Sequence, residues 1–199
     1  MSDALSQMAL GEADILAAWR ENYSQIRQTG FEWLLSMGVP PLALARDPAP
    51  FDGFPVTAAQ VEFLDKGFEF TSYLRDPQRP QRALIILARD IDCEIADIAA
   101  WTPRTGEVRL WLGRLSMLGE NNILAPRFDE PLPVHETALD WLKADRRGVF
   151  IADPARASFQ LEGHSLLVDN AVFGGKLKQA LTRPSPPIFV NKDARRAAA

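Results

Sequence analysis

Residues 83–88 read Ala-Leu-Ile-Ile-Leu-Ala, an uninterrupted apolar run near the middle of the chain. A run of this length bounded by polar residues is typical of a buried strand. A polar break follows at residues 91–93, and residues 94–101 form a second, partly apolar stretch. We therefore predict that 83–88 and 94–101 pair as antiparallel strands whose turn includes Asp92.

A third strand is indicated by residues 108–112, where apolar positions alternate with Arg109 and Trp111. The preceding stretch, residues 103–106 with the sequence Pro-Arg-Thr-Gly, has the composition of a tight turn. Three strands joined by two short turns form an antiparallel meander.

Two helices are predicted before the strands. Apolar residues spaced four, four and three positions apart indicate a helix from about Glu12 to Gln28, with Gly30 as its stop. A second, short helix is predicted to end at Gly38. Trp19 and Trp33, one in each helix, are predicted to anchor the core.

Residues 57–67 allow two interpretations. The favoured one is a helix that begins at Thr57 and ends at Gly67, since Thr57 and Gln60 match a capping box. The alternative is a hairpin in which residues 61–63 pair with residues 68–70 across a short turn.

The last third of the chain is predicted to add short elements after a proline-rich loop. These are a helix over 138–145 begun by Thr137, strands at 149–152 and 166–168, and a final helix capped by Asp169 or Asn170 that runs to Leu181. The predicted fold class is therefore α+β, with N-terminal helices packed on an antiparallel β-meander and followed by a further strand and helices.

The predicted domain organisation has three parts. Residues 1–55 form an N-terminal helical region and a crossing that carries five prolines between positions 40 and 55. Residues 56–190 form the α+β domain, and the polar, alanine-rich tail 191–199 is predicted to be disordered.

Composition restricts the classes of partner. The 199 residues are 47% apolar and 24% charged, with a net charge of -4, so no overall positive field attracts nucleic acid. Nucleic acid therefore stays a possible partner that the charge does not support. No apolar run is long enough to span a membrane, and residues 1–10 do not resemble a signal peptide, so we expect a cytoplasmic protein without membrane contact.

Four acidic residues lie near the first predicted turn: Asp90, Asp92, Glu94 and Asp97. Carboxylates grouped in this way can hold Mg²⁺ for phosphoryl transfer. Turns, however, favour aspartate for local bonds to the backbone, and the strand alternation separates Asp97 from Glu94. We predict no metal and no cofactor, and we expect millimolar Mg²⁺ or Mn²⁺ to leave the melting temperature unchanged.

Other reactive residues occur singly. His135 beside Glu136 and His164 have no nucleophile partner in a recognisable motif. Residues 174–176, Gly-Gly-Lys, lack the remainder of a phosphate-binding loop. Cys93 is the one cysteine and has acidic neighbours, so we predict an incidental thiol.

Arginine and tryptophan recur around the second turn, a combination that suits a binding surface. The residues predicted to form this interaction surface are Trp101, Arg104, Arg109, Trp111 and Arg114.

Six stretches of the sequence are similar to those of a known family: residues 83–92, 97–106, 111–115, 134–142, 148–153 and 181–184. Over about residues 60 to 190 the chain thus resembles an uncharacterised family of alphaproteobacterial phage and prophage proteins. The resemblance implies a phage-related origin and brings no activity with it.

Two functions are consistent with these observations. The first is a non-catalytic binding or accessory protein of a phage or other mobile element, with a protein partner. The alternative is a small metal-dependent enzyme that acts on phosphodiesters or nucleic acid, which would need at least three of the four carboxylates to converge in one concave site.

Overall fold

The computed structural model describes residues 10–45, 54–124 and 130–182. These residues form an α+β fold with two sheets, as the sequence predicts. The strands are β1 Val56–Phe63, β2 Phe68–Phe70, β3 Gln81–Arg89, β4 Ile95–Trp101, β5 Val108–Leu110, β6 Met117–Leu118, β7 Leu132–His135, β8 Val149–Ile151 and β9 Leu166–Leu167. The helices are α1 Glu12–Asn22, α2 Gln28–Ser36, α3 Pro41–Ala45, α4 Ala138–Lys143, α5 Pro154–Gln160 and α6 Ala171–Leu181.

The first sheet has the strand order β2-β1-β3-β4-β5, and all its neighbours are antiparallel. In its centre β3 pairs with β4, from Leu84 opposite Trp101 to Arg89 opposite Ile95. The turn between them contains Asp92. The predicted antiparallel pair is therefore confirmed, and β5 completes the predicted meander.

The favoured helix over residues 57–67 is wrong, and the hairpin is correct. Val61 lies opposite Phe70, and Phe63 lies opposite Phe68. Thr57 is inside β1 rather than at a helix start. The capping pattern does not decide the structure here. A strand between β2 and β3 buries its apolar side chains on both faces of the sheet, and this burial outweighs the local preference for a helix.

Both faces of the first sheet are covered. One face packs against α1 through Ile15 and Trp19, in a core that includes Phe70. The other face packs against α2, α3 and α4 in a core that includes Leu34 and Trp141. Trp19 is confirmed as a core residue.

The first sheet curls so that its two edge strands approach each other. The ring of Trp111, just after β5, lies 5.4 Å from that of Phe70 in β2, and its Nε1 donates to Glu69 at 2.9 Å. Gly67 has a φ of +88°, and a Cβ added there would lie 2.7 Å from the carbonyl oxygen of Leu110. The sheet edges are thus in contact at the β1–β2 turn.

The second sheet has the order β6-β8-β7-β9 and is mixed. β8 is antiparallel to β6 and parallel to β7, and β7 is parallel to β9. Thr137 caps α4 and Asn170 caps α6, as predicted.

Three other expectations from the sequence are corrected. α1 ends at Asn22 rather than Gln28, because Ser24 leaves the helix to form a bridge with Ala58 of β1. The predicted proline-rich loop covers residues 125–133, and β7 begins inside it at Leu132. The predicted strand at 149–152 ends one residue earlier, and no helix is predicted after it from the sequence, whereas α5 follows with Asp153 as its cap and Pro154 as its first residue.

No helix within the described ranges is long and apolar enough to cross a membrane. The predicted tail 191–199 lies outside the described residues, and the division at residues 55 and 56 stays a prediction.

Candidate protein-binding surface

The two tryptophans of the predicted interaction surface are core residues. Trp101 is 2% exposed and Trp111 is 9% exposed. They belong to the cores on opposite faces of the first sheet. They therefore do not share a surface with each other.

The three arginines of the predicted interaction surface have different surroundings. Arg104 is exposed in the turn between β4 and β5. Arg109 forms an ion pair with Glu107, with 2.9 Å between Nη2 and Oε1. Arg114 lines a cleft beside the end of the β3–β4 hairpin. A role for these arginines in binding stays a prediction.

Of the acidic residues near the β3–β4 turn, Asp90 and Asp97 accept hydrogen bonds from different backbone amides. Asp90 Oδ1 accepts the amide hydrogens of Asp92 and Glu94, both at 3.0 Å, as expected for an aspartate that begins a turn. No group of three histidine, cysteine or acidic side chains among the described residues could hold a metal ion. The convergence that the metal-enzyme alternative needs is thus missing from the described part of the chain.

Asp97 has a separate role. Its side chain is fully buried. Oδ1 accepts the amide hydrogens of Ile98 at 2.8 Å and Leu112 at 2.9 Å, and Oδ2 accepts that of Arg114 at 2.8 Å. Burial raises the pKa of this carboxyl above its ordinary value, and the amide donors oppose the rise.

Cys93 lies exposed in the same turn, with a φ of +67°. A left-handed backbone at a residue with a side chain costs about 1–2 kcal/mol. Cys93→Gly is therefore expected to raise the free energy of unfolding by about 0.5–1 kcal/mol, after the greater freedom of glycine in the unfolded chain is subtracted.

Cys93→Ser is the matched control, since it keeps the side-chain size and is expected to change stability by less than about 0.5 kcal/mol. Urea unfolding of the three proteins measures both effects. A glycine variant that is less stable than the serine variant would show that this backbone conformation is not strained.

The remaining candidates have structural contacts. His135 Nε2 lies 2.8 Å from the carbonyl oxygen of Arg147. Lys176 of α6 pairs with Glu136 at 3.7 Å on the surface. Gly174 and Gly175 lie inside α6, where a Cβ on Gly174 would lie 3.1 Å from Val168. Close packing thus accounts for Gly174.

Along the described ranges of the chain, exposed apolar side chains are most concentrated on α2, α3 and the turn between them. Of thirteen large exposed apolar residues within the described ranges, four fall in ten consecutive positions. They are Trp33 at 38%, Leu35 at 36%, Met37 at 39% and Leu42 at 57% exposed. We call these four residues the α2–α3 surface.

The surrounding sequence holds the α2–α3 surface in place. Leu34 on α2 and Ala43 and Leu44 on α3 are buried against the first sheet. Trp33 and Met37 are four positions apart and so lie on the same side of α2. The helices are anchored by one set of apolar residues, and a second set faces solvent.

Trp33 was predicted to lie in the core, and that prediction is wrong. The stretch Phe-Glu-Trp-Leu-Leu-Ser-Met at 31–37 holds more apolar residues than one helix face can bury. A signal for exposure was therefore present in the sequence. Deciding which residue lies inside needs the sheet against which the helix packs.

Comparison of the chain with protein-family models, with curated proteins and with solved structures finds no match.

Proposed function

We propose that this is a non-catalytic binding protein that docks a protein partner through the α2–α3 surface. The observation that carries the proposal is the clustering of Trp33, Leu35, Met37 and Leu42 as exposed side chains on anchored helices. Of these residues, Trp33 and Met37 share one side of α2, and neighbouring exposed apolar side chains of this size are a mark of interaction sites in soluble proteins.

The composition of this surface supports a protein rather than a nucleic acid as partner. Tryptophan and methionine are enriched at the centres of protein interfaces, whereas charged side chains are depleted there. Arg27 at the start of α2 and Glu32 within it are exposed charged residues on the same helix. The overall charge of -4 also opposes contact with a phosphate backbone.

The further prediction, that the partner belongs to a phage or other mobile element, rests only on the resemblance of the sequence stretches given above. The resemblance indicates among which class of proteins the partner should be sought. The choice of the α2–α3 surface does not depend on it.

The double variant Trp33→Ala, Met37→Ala tests the proposal. We expect the variant to recover its partner from the native host at least tenfold less well than the unaltered protein, since truncating a central aromatic anchor costs about 2–4 kcal/mol of binding. Recovery is measured by cross-linking in cells and mass spectrometry. Thermal melting checks the fold, and a change of less than about 1 kcal/mol is expected because both residues are exposed.

The matched control is Leu167→Ala, Val172→Ala, which truncates two apolar residues that are 53% and 71% exposed elsewhere. It should recover the partner as well as the unaltered protein. Equal recovery by both double variants, or loss in the control alone, would contradict the assignment of the surface.

A further inference from the structure

The segment that joins the two sheets, residues 112–116 between β5 and β6, belongs to no strand or helix. Its backbone groups are nevertheless bonded. Asp97 accepts the amide hydrogens of Leu112 and Arg114, and Glu120 Oε1 accepts that of Ser116 at 2.7 Å. Carboxylates thus replace the strand neighbour that would normally accept these hydrogens.

Arg156, in the first turn of α5, bonds the carbonyl oxygens of the same segment. Its Nη1 donates to Gly113 and, at 3.3 Å, to Leu115, and its Nη2 donates to Arg114. One guanidinium therefore bonds three successive carbonyl oxygens, which its planar set of donors permits.

A second residue of α5 holds the end of the segment. Gln160 lies four positions after Arg156 and hence on the same side of the helix. Its Nε2 donates to Glu120 Oε2 at 3.0 Å, and the Ser116 hydroxyl donates to its Oε1. Glu120 is 2% exposed and Gln160 is exposed, so this contact is half-buried.

Residues of the segment also line two clefts. Arg114 and Leu115 line a cleft of about 510 Å³ with Glu120 and Gln160. Gly113 and Leu115 line a second cleft of about 560 Å³ with Arg156. Leu115 lines both clefts.

We propose that α5 is a latch on residues 112–116, and that the two open together as a local unit, ahead of global unfolding. α5 has seven residues, and helices of this length are unstable without tertiary contacts. Apart from the Ser116 carbonyl oxygen, which accepts the amide hydrogens of Ala152 and Asp153, the segment has side-chain bonds in place of a ladder between strands. Elements of this kind open at lower free energy than central strands such as β3 and β4.

Arg156→Gln tests the latch by hydrogen exchange read by mass spectrometry. The variant should exchange the amides of residues 112–116 and 154–160 at least tenfold faster than the unaltered protein, with less than a twofold change in β3 and β4. The matched control Arg104→Gln, in an exposed turn, should change neither region. Unchanged exchange in 112–116, or equal acceleration across β3 and β4, would overturn the proposal.

Two further variants keep the test decisive if Arg156→Gln does not fold. Gln160→Ala removes only the bonds of Gln160 to Glu120 and Ser116. It should accelerate hydrogen exchange in the same two regions, but by a smaller factor than Arg156→Gln. Leu115→Cys in a Cys93→Ser background places a single thiol in the 112–116 segment. A maleimide should label this thiol faster than the protein unfolds globally. Labelling only at the rate of global unfolding would overturn the proposal.

Discussion

Asp97→Ala is expected to lower the free energy of unfolding by about 3–5 kcal/mol, among the largest effects of a single substitution in this protein. The Asp97 side chain is fully buried and accepts three amide hydrogens, from Ile98, Leu112 and Arg114. Alanine leaves all three donors without this acceptor, and each buried unsatisfied donor costs about 1–3 kcal/mol. Urea unfolding measures the loss.

Two variants define the cause of this effect. Asp97→Asn keeps one oxygen and removes the buried charge, so we expect a smaller loss of about 1–2 kcal/mol. Asp92→Ala removes a carboxylate from an exposed turn position and should cost less than about 0.5 kcal/mol. Similar losses at Asp92 and Asp97 would show that the three amide bonds are not the reason.

The pH dependence of the Asp97 effect has a definite sign. Because burial raises the pKa of Asp97 in the folded protein, folding takes up a proton between the unfolded and folded pKa values. The stability from this group is fully present below the unfolded pKa and is lost as the pH rises through the folded pKa. The stability difference between the unaltered protein and Asp97→Asn should therefore be larger near pH 4 than near pH 7, and a difference that grows with pH would contradict this.

Gly148→Ala is expected to lower the free energy of unfolding by about 2–5 kcal/mol or to prevent folding, from strain of about 1–2 kcal/mol and overpacking of about 1–3 kcal/mol. Gly148 has a φ of +72°, and an added Cβ would lie 2.4 Å from the carbonyl oxygen of Pro133. Relief of this clash would move the carbonyl oxygen of Gly148, which accepts Trp141 Nε1 at 3.1 Å and Asn122 Nδ2 at 3.0 Å. The yield of soluble protein and its melting temperature measure the outcome.

Gly106→Ala separates backbone strain from the steric clash. Gly106 has a nearly identical φ of +75° and no atom within 4 Å of an added Cβ. Gly106→Ala should lower the free energy of unfolding by only about 0.5–1 kcal/mol, which is the strain of a left-handed backbone less the smaller freedom of alanine in the unfolded chain. If Gly148→Ala costs no more than Gly106→Ala, the close approach to Pro133 does not constrain the fold.

The sequence alone determined the elements whose pattern is local and redundant. The β3–β4 pair was predictable because an apolar run, a polar break and a second apolar stretch all indicate the same antiparallel pairing. The caps Thr137 and Asn170 were predictable because the cap bonds backbone amides within three residues along the chain. The α+β class follows from these elements together.

Tertiary structure decided what depends on the surroundings of a residue. Residues 57–63 matched a helix start, yet they form a strand because β3 supplies the pairing partner. Trp33 and Trp101 are both tryptophans in apolar stretches, but only Trp101 has packed layers on its side of the backbone. Asp97 looked like one more carboxylate in an acidic group, and only the fold places the amides of the 112–116 segment around it. Burial and hydrogen-bond partners are set by distant parts of the chain, whereas sequence patterns record the immediate neighbours of a residue.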